Sequence, residues 1–232
     1  MVGGAGQAQS LDRAGALAAI VNRYLPALKV YLMRKRKLSA DAAEDLLQSF
    51  VGEKLLDASF IATADRRRGK FRTFLLTSLD HFLIDQVRRS DSAMRAQAAA
   101  AAIVPGDGDE PAAPDAADPF DVQWAREVIN EALARMEQEC AASGRSDIWN
   151  MFEQRVAGPT LQDRPAPTYE QLVGQFGFQS PTQASNCLVT AKRMFARTLR
   201  VVVMEYAGAD DSVEAELVDL MKILGHGRAR SA

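Results

Sequence analysis

A chain of 232 residues, 47% hydrophobic and 25% charged with a net charge of -2, has the balance of an ordinary globular protein and the length for one large or two small domains. No apolar run reaches the roughly 18 to 20 residues that span a bilayer, and the Ala/Gly-rich start lacks a basic stretch followed by an apolar one, so a cytoplasmic protein with no membrane association is expected. Cys140 and Cys187 fall in separate predicted helices without a CxxC or HxxxH neighbour, which points to reduced thiols and no metal site.

Residues 1–9 are small and polar and are expected to be loose, with Ser10 capping a helix that carries Leu11, Ala14, Leu17, Val21, Tyr24 and Leu25. Pro26 lacks the N–H that an interior turn needs and should kink or restart that helix, which ends in Arg34-Lys35-Arg36-Lys37. Ser39 is placed to cap a second helix over 40–56. Its Ala43, Leu46/Leu47, Phe50/Val51 and Leu55 face inward, while Asp41, Glu44, Asp45 and Gln48 occupy the other side.

The stretch around which the chain is organised follows, from the basic loop Arg66-Arg67-Arg68 through Lys70, Phe71 and Arg72 to Arg88-Arg89. At helical spacing Phe71, Phe74/Leu75, Ser78/Leu79, Phe82 and Leu83/Val87 form an apolar stripe that Arg72, Thr77, Asp80, His81, Arg88 and Arg89 leave. Residues 64–89 hold seven Lys/Arg against three Asp, a local +4 inside a chain of net charge -2. A local excess of this kind is the footprint of a polyanion partner.

The run Phe71-Arg72-Thr73-Phe74-Leu75, the pair Ile84-Asp85 and the pair Arg88-Arg89 resemble the second conserved region of the extracytoplasmic-function sigma factors of bacterial RNA polymerase. His81 stands where many members carry asparagine, and Asp80 where a basic residue is common. The resemblance implies that Arg66, Arg67, Arg68, Lys70, Arg72, Thr77, His81, Arg88 and Arg89 contact the minus-ten region of promoter DNA. It also implies that Asp41, Glu44, Asp45, Gln48 and Phe50 dock on the clamp of core RNA polymerase, and that the loop 57–68 guides a base flipped from the non-template strand.

Beyond Arg89 the Pro-, Gly- and Asp-rich composition cannot build a packed element, so 97–117 reads as a flexible acidic linker. Asp118-Pro119-Phe120-Asp121 opens a second helical region with an N-cap and proline at the first helical position. Helices bearing Trp124, Val128, Ala132 and Met136, then Ile148, Trp149, Phe152 and Val156, are separated by Ser143-Gly144. After a proline-broken loop over 158–167, Thr168-Tyr169-Glu170-Gln171 is a capping box, Gly177 ends a short helix, and Ser180 caps a long one. Short helix, glycine turn and long helix outline a helix-turn-helix, and Thr168, Tyr169, Glu170, Gln171, Gly177, Leu188, Ala191 and Lys192 resemble the fourth region of the same sigma family. Gln183, Ser185, Asn186, Lys192, Arg193 and Arg197 are then the expected DNA contacts, with Gln183 and Asn186 suited to adenine edges. The tail carries six acids and no base over 205–219 and a last amphipathic helix with Val213, Leu217, Leu220, Met221 and Leu224, expected to pack on the second domain.

The expected architecture is all-α: a sigma region 2-like bundle (10–96), the linker (97–117), a region 4-like helix-turn-helix domain (118–207) and an acidic helical extension (208–232). The expected function is a sigma factor that binds core RNA polymerase and promoter DNA. The alternative is a helix-turn-helix regulator or sigma-derived adaptor without initiation activity. Phosphorylation at Ser90 or Ser92 would set negative charge beside Arg88 and Arg89, so a regulatory protein or a kinase is a further partner to expect. With two histidines and no HExxH, GxSxG or phosphate-loop pattern, neither catalysis nor a cofactor is expected.

Overall fold

Apolar residues recurring at three- and four-residue steps put most of the described chain into helices. A computed structural model describes residues 4–55, 70–94, 118–207 and 210–228, all-α and without a strand among them. No helix among the described residues is long and apolar enough to cross a membrane. The linker 97–117 and the basic loop with Arg66, Arg67 and Arg68 lie outside the described residues.

Helix α1 runs over Gly4–Arg34 without a break. It corrects three expectations, since residues 4–9 are helical rather than loose, Ser10 lies inside the helix rather than capping it and Pro26 neither restarts nor ends it. Asn22 and Pro26 share an exposed face, where water can serve the carbonyl that proline leaves without a donor. Helix α2, Ala40–Phe50, starts where Ser39 accepts the Ala42 N–H at 3.2 Å and buries Ala43, Leu47 and Phe50. It opens into a π-helical turn over Val51–Leu55, which sets Glu53 against Gln86 (3.2 Å) and Arg89 (3.0 Å) of helix α3, Phe71–Met94.

Helix α4 covers Pro119–Ala142, with Asp118 Oδ1 accepting the Phe120 N–H at 2.9 Å as its N-terminal cap. Gly144, at φ +68°, turns the chain into α5, Ser146–Phe152, which widens into a second π-turn over Glu153–Ala157. One helical turn, α6 over Gly158–Leu161, occupies the start of what reads in sequence as loop, because Pro159 is tolerated in a first turn. The helix α7, Tyr169–Phe176, has the full reciprocal capping box between Thr168 and Gln171. Helix α8 covers Pro181–Ala207 and α9 covers Asp210–Arg228.

These elements form two compact units, residues 1–127 with 204–232, and residues 128–203. The first has an aromatic core: Trp124, fully buried, stacks on Tyr24 at 3.8 Å between ring centroids and meets Tyr206 edge-on at 5.5 Å, with Phe71 and Phe120 beside it. Leu28, Leu32, Leu75, Leu79 and the Phe50–Phe82 pair extend this core. The second unit packs Met136, Ile148, Met151, Phe152, Leu172, Leu188 and Ala191 together, with Phe195 on Phe152. Cys140 and Cys187 are both buried free thiols in this unit; burial pushes both up, Cys187 to about 11.

Gly177 closes α7 at φ +70° with open space where a Cβ would stand. Gly177→Ala therefore meets no clash and bears only the left-handed backbone cost, about 1–2 kcal/mol. A matching fall in the stability of the second unit by urea denaturation checks this.

The C-terminal helix differs from expectation. Its inward face is Val213, Glu216 and Leu220, with Met221 64% exposed, and it belongs to the first unit. The face turns because Glu216 is drawn inward by Arg72 (3.7 Å) and by the Tyr206 hydroxyl, which donates to it at 3.4 Å.

Candidate nucleic-acid interface

Helix α3 presents two distinct faces. Thr77, His81, Ile84 and Arg88 are exposed and recur at steps of four, three and four, so they form one stripe along the helix. Arg72 sits nine residues before His81, about half a turn away at 3.6 residues per turn. Instead of leaving the apolar face, as expected, it shares that face with Leu75, Leu79 and Phe82 at three- and four-residue steps. Only 8% of it is exposed.

The Arg72 guanidinium meets carboxylates from two other elements: Asp121 of α4 at 3.0 Å, and Asp219 (2.9 Å) and Glu216 (3.7 Å) of α9. Lys70, just before α3, also pairs with Asp219. Burial pushes the Glu216 and Asp121 carboxyls up, against the pull of Arg72, while the Lys70 hydrogen bond holds Asp219 below its usual range. Two cations facing three acids make this cluster locally negative.

Asp80, unusual for the resembled family, ties α3 to the end of α1. It accepts the Tyr31 hydroxyl at 2.8 Å and pairs with Arg36 at 2.6 Å. Burial and this bond push the Tyr31 hydroxyl up to about 12. Asp80 therefore acts between helices rather than on the exposed stripe. Arg89, also exposed, is held by Glu53 across from the π-turn.

On α2, Asp41, Glu44, Asp45 and Gln48 are exposed at three- and four-residue spacing, an acidic ribbon with Glu44 also pairing with Lys29 of α1. Phe50 does not join them. Its ring is fully buried 5.5 Å from Phe82, so its expected part in polymerase docking is corrected to a core role.

In the second unit Gln183, Asn186, Thr190, Arg193 and Arg197 share one exposed face of α8, with Lys192 exposed beside them and Ser185 half-buried. Gln183 is engaged locally, its Oε1 accepting the Gln179 N–H at 2.6 Å, and Arg197 pairs with Glu139. A groove of about 410 Å³ lies along Arg193 and Arg197, and Arg145, which sequence reasoning missed, lines it too. Arg145 is paired with Asp147 at 3.0 Å. The approach of α7 is held from behind: Arg155 lies over the Tyr169 ring at 4.5 Å and donates to the Pro167 carbonyl.

The acids around Arg72 were also missed, although the spacing of Val213, Glu216 and Leu220 is a helical face that marks Glu216 as inward-pointing. Arg145 carries no comparable signal, because its place on the groove comes from chain folding between α4 and α8. No protein-family model, no curated protein and no solved structure matches the chain.

Proposed function

We propose that this chain is a dissociable promoter-specificity subunit of bacterial RNA polymerase, acting in the cytoplasm as a sigma factor. The acidic ribbon Asp41, Glu44, Asp45 and Gln48 would hold the polymerase clamp, where carboxylates set register against basic residues. The Thr77-His81-Ile84-Arg88 stripe, with Arg89 and the loop Arg66-Arg67-Arg68, would take the upstream edge of the melted promoter, and the exposed face of α8 the more distant duplex element. The proposal includes a region 2-like part (10–96), a flexible linker (97–117), a region 4-like part (118–207) and a regulatory extension (208–232).

The single observation that carries it is the exposed Thr77-His81-Ile84-Arg88 stripe on α3, which ends in the cations Arg88 and Arg89, in the same unit as an exposed acidic ribbon on α2. Two surfaces of opposite sign suit a protein that must hold a protein partner and a polyanion at once. A helix-turn-helix regulator or sigma-derived adaptor without initiation activity is the second reading; the local engagement of Gln183 and Arg197 leaves the α8 face few cations for phosphate and favours the adaptor form.

Multi-round transcription with core polymerase and a pooled promoter library separates the two. Wild-type protein is expected to yield specific start sites, and Arg88→Ala/Arg89→Ala to reduce them by about ten-fold or more, the order set by arginine contacts worth about 1–3 kcal/mol each. Binding to core polymerase without specific start sites would leave the adaptor, and failure of the wild type to bind core polymerase would leave the stand-alone regulator.

A further inference from the structure

We infer that helix α9 is an intramolecular competitor of nucleic acid: Asp219 occupies Lys70 at the head of α3, and Lys70 reaches DNA phosphate only when α9 leaves its seat. The inference rests on the nucleic-acid role of this region proposed above.

Three features of the cluster carry it. First, Lys70 is exposed, with 47% of its side chain accessible although Asp219 holds its ammonium group. It follows Arg66, Arg67 and Arg68 closely in sequence and so belongs to the same local excess of cations, the kind that attracts phosphate. A carboxylate is the natural stand-in for a phosphate oxygen at an ammonium group.

Second, α9 is seated by charge at the centre of its buried face. Val213 and Leu220 are buried above and below, and between them stands Glu216, 4% exposed. An all-apolar seat would gain burial energy without needing any partner. A carboxylate in that place costs desolvation, which Arg72 and the Tyr206 hydroxyl offset. A helix held in this way docks with a smaller net gain than its contact area implies.

Third, the two cations have different parts. Arg72 is buried on the core face of α3, half a turn from the exposed stripe, so it serves as the anchor of α9. Lys70 is the contested group. Releasing α9 would free one surface cation and remove Glu216 and Asp219 from beside it, changing the local field from negative to positive.

The experiment measures binding of a fluorescein-labelled DNA duplex to the full-length chain by anisotropy over a salt series. Asp219→Asn is expected to bind several-fold tighter than wild type, with the slope of log K against log salt steeper by about 0.9, as one added phosphate contact requires. Lys70→Gln is expected to abolish that gain when combined with Asp219→Asn. Unchanged or weaker binding by Asp219→Asn overturns the inference, as does a gain that survives Lys70→Gln. On the unmodified chain, hydrogen exchange provides an arm independent of any variant's folding: α9 amides are expected to lose protection at saturating DNA, and unchanged protection overturns the competition. Pull-down on core polymerase is run alongside. Loss of that interaction in the wild type counts against the sigma function, whereas the DNA arms alone decide the role of α9.

Discussion

Trp124→Ala is expected to destabilise the first unit by about 3–5 kcal/mol, the range for removing a large aromatic from a closed core. The indole is fully buried and has rings on several sides: Tyr24 of α1 stacked at 3.8 Å, Tyr206 of α8 edge-on at 5.5 Å, and Phe120 and Phe71 within 6.2 Å. Apart from Phe120, which lies on α4 itself, those rings come from elements far apart in sequence, so the void left behind cannot be closed by shifting a single helix. A loss of this size is a large part of the 5–15 kcal/mol that usually separates folded from unfolded domains. Urea denaturation followed by circular dichroism checks it, with Leu161→Ala, at an exposed position in the second unit, expected to change stability by less than about 0.5 kcal/mol. A Trp124→Ala effect below about 1 kcal/mol would contradict the packing described for this core.

Arg72→Met is the second large effect, again about 3–5 kcal/mol, because removing one partner leaves a buried charge uncompensated. Methionine retains much of the arginine stem's apolar bulk, so the loss reports mainly on the guanidinium. Glu216 is then left in a buried site with the Tyr206 hydroxyl and the charge of Lys70 to serve it, while Asp121 and Asp219 face each other with one fewer cation between them. Adding Glu216→Gln should restore a substantial part of the stability, since it removes the stranded charge and keeps a hydrogen-bonding group. The sign of the pH dependence follows from the same residues. Burial already raises the Glu216 carboxyl, and loss of Arg72 raises it further, so its neutral form is favoured in the folded variant. The deficit should therefore shrink as pH is lowered from neutral and grow as pH rises through the variant's Glu216 titration. A deficit independent of pH and of Glu216→Gln would show that Arg72 acts by packing alone.

The two substitutions bear on function in different ways. Trp124 supports the whole first unit, so its loss should weaken every activity that unit has. Arg72 anchors α9, and a folded Arg72→Met/Glu216→Gln chain would carry a loosened C-terminal helix. Under the competition inferred above, that chain should bind DNA more tightly despite having lost a cation, a result that direct DNA contact by Arg72 does not predict.

Much of the local structure was legible from residue order, because caps, turns and apolar spacing act within a few residues. Ser39, Asp118, Thr168 with Gln171, and Ser180 all cap the helices that follow them, and Gly144 and Gly177 take the left-handed turns. Residues such as Leu75, Leu79, Phe82, Ala184, Leu188 and Ala191 are buried as their spacing requires. The exposed acidic face of α2 and the exposed Thr77, His81 and Arg88 follow from the same periodicity. What the sequence determined by itself was therefore helical class, most helix starts and most of the apolar residues that face inward, since these are properties of one element and its immediate neighbours.

Tertiary structure alone decided which distant elements meet. Arg72 reads as a surface cation because charge is an average cue, and only the arrival of Asp121, Glu216 and Asp219 makes its burial tolerable. Phe50 has the same composition whether it anchors a partner or a core, and the Phe82 ring settles it as core. The C-terminal helix has a face that fits several hosts, and its place beside Lys70 and Arg72 depends on charge complementarity across almost 150 residues of chain. Such contacts have no local signature: their free energy arises only after the chain has folded, when desolvation and pairing are evaluated together.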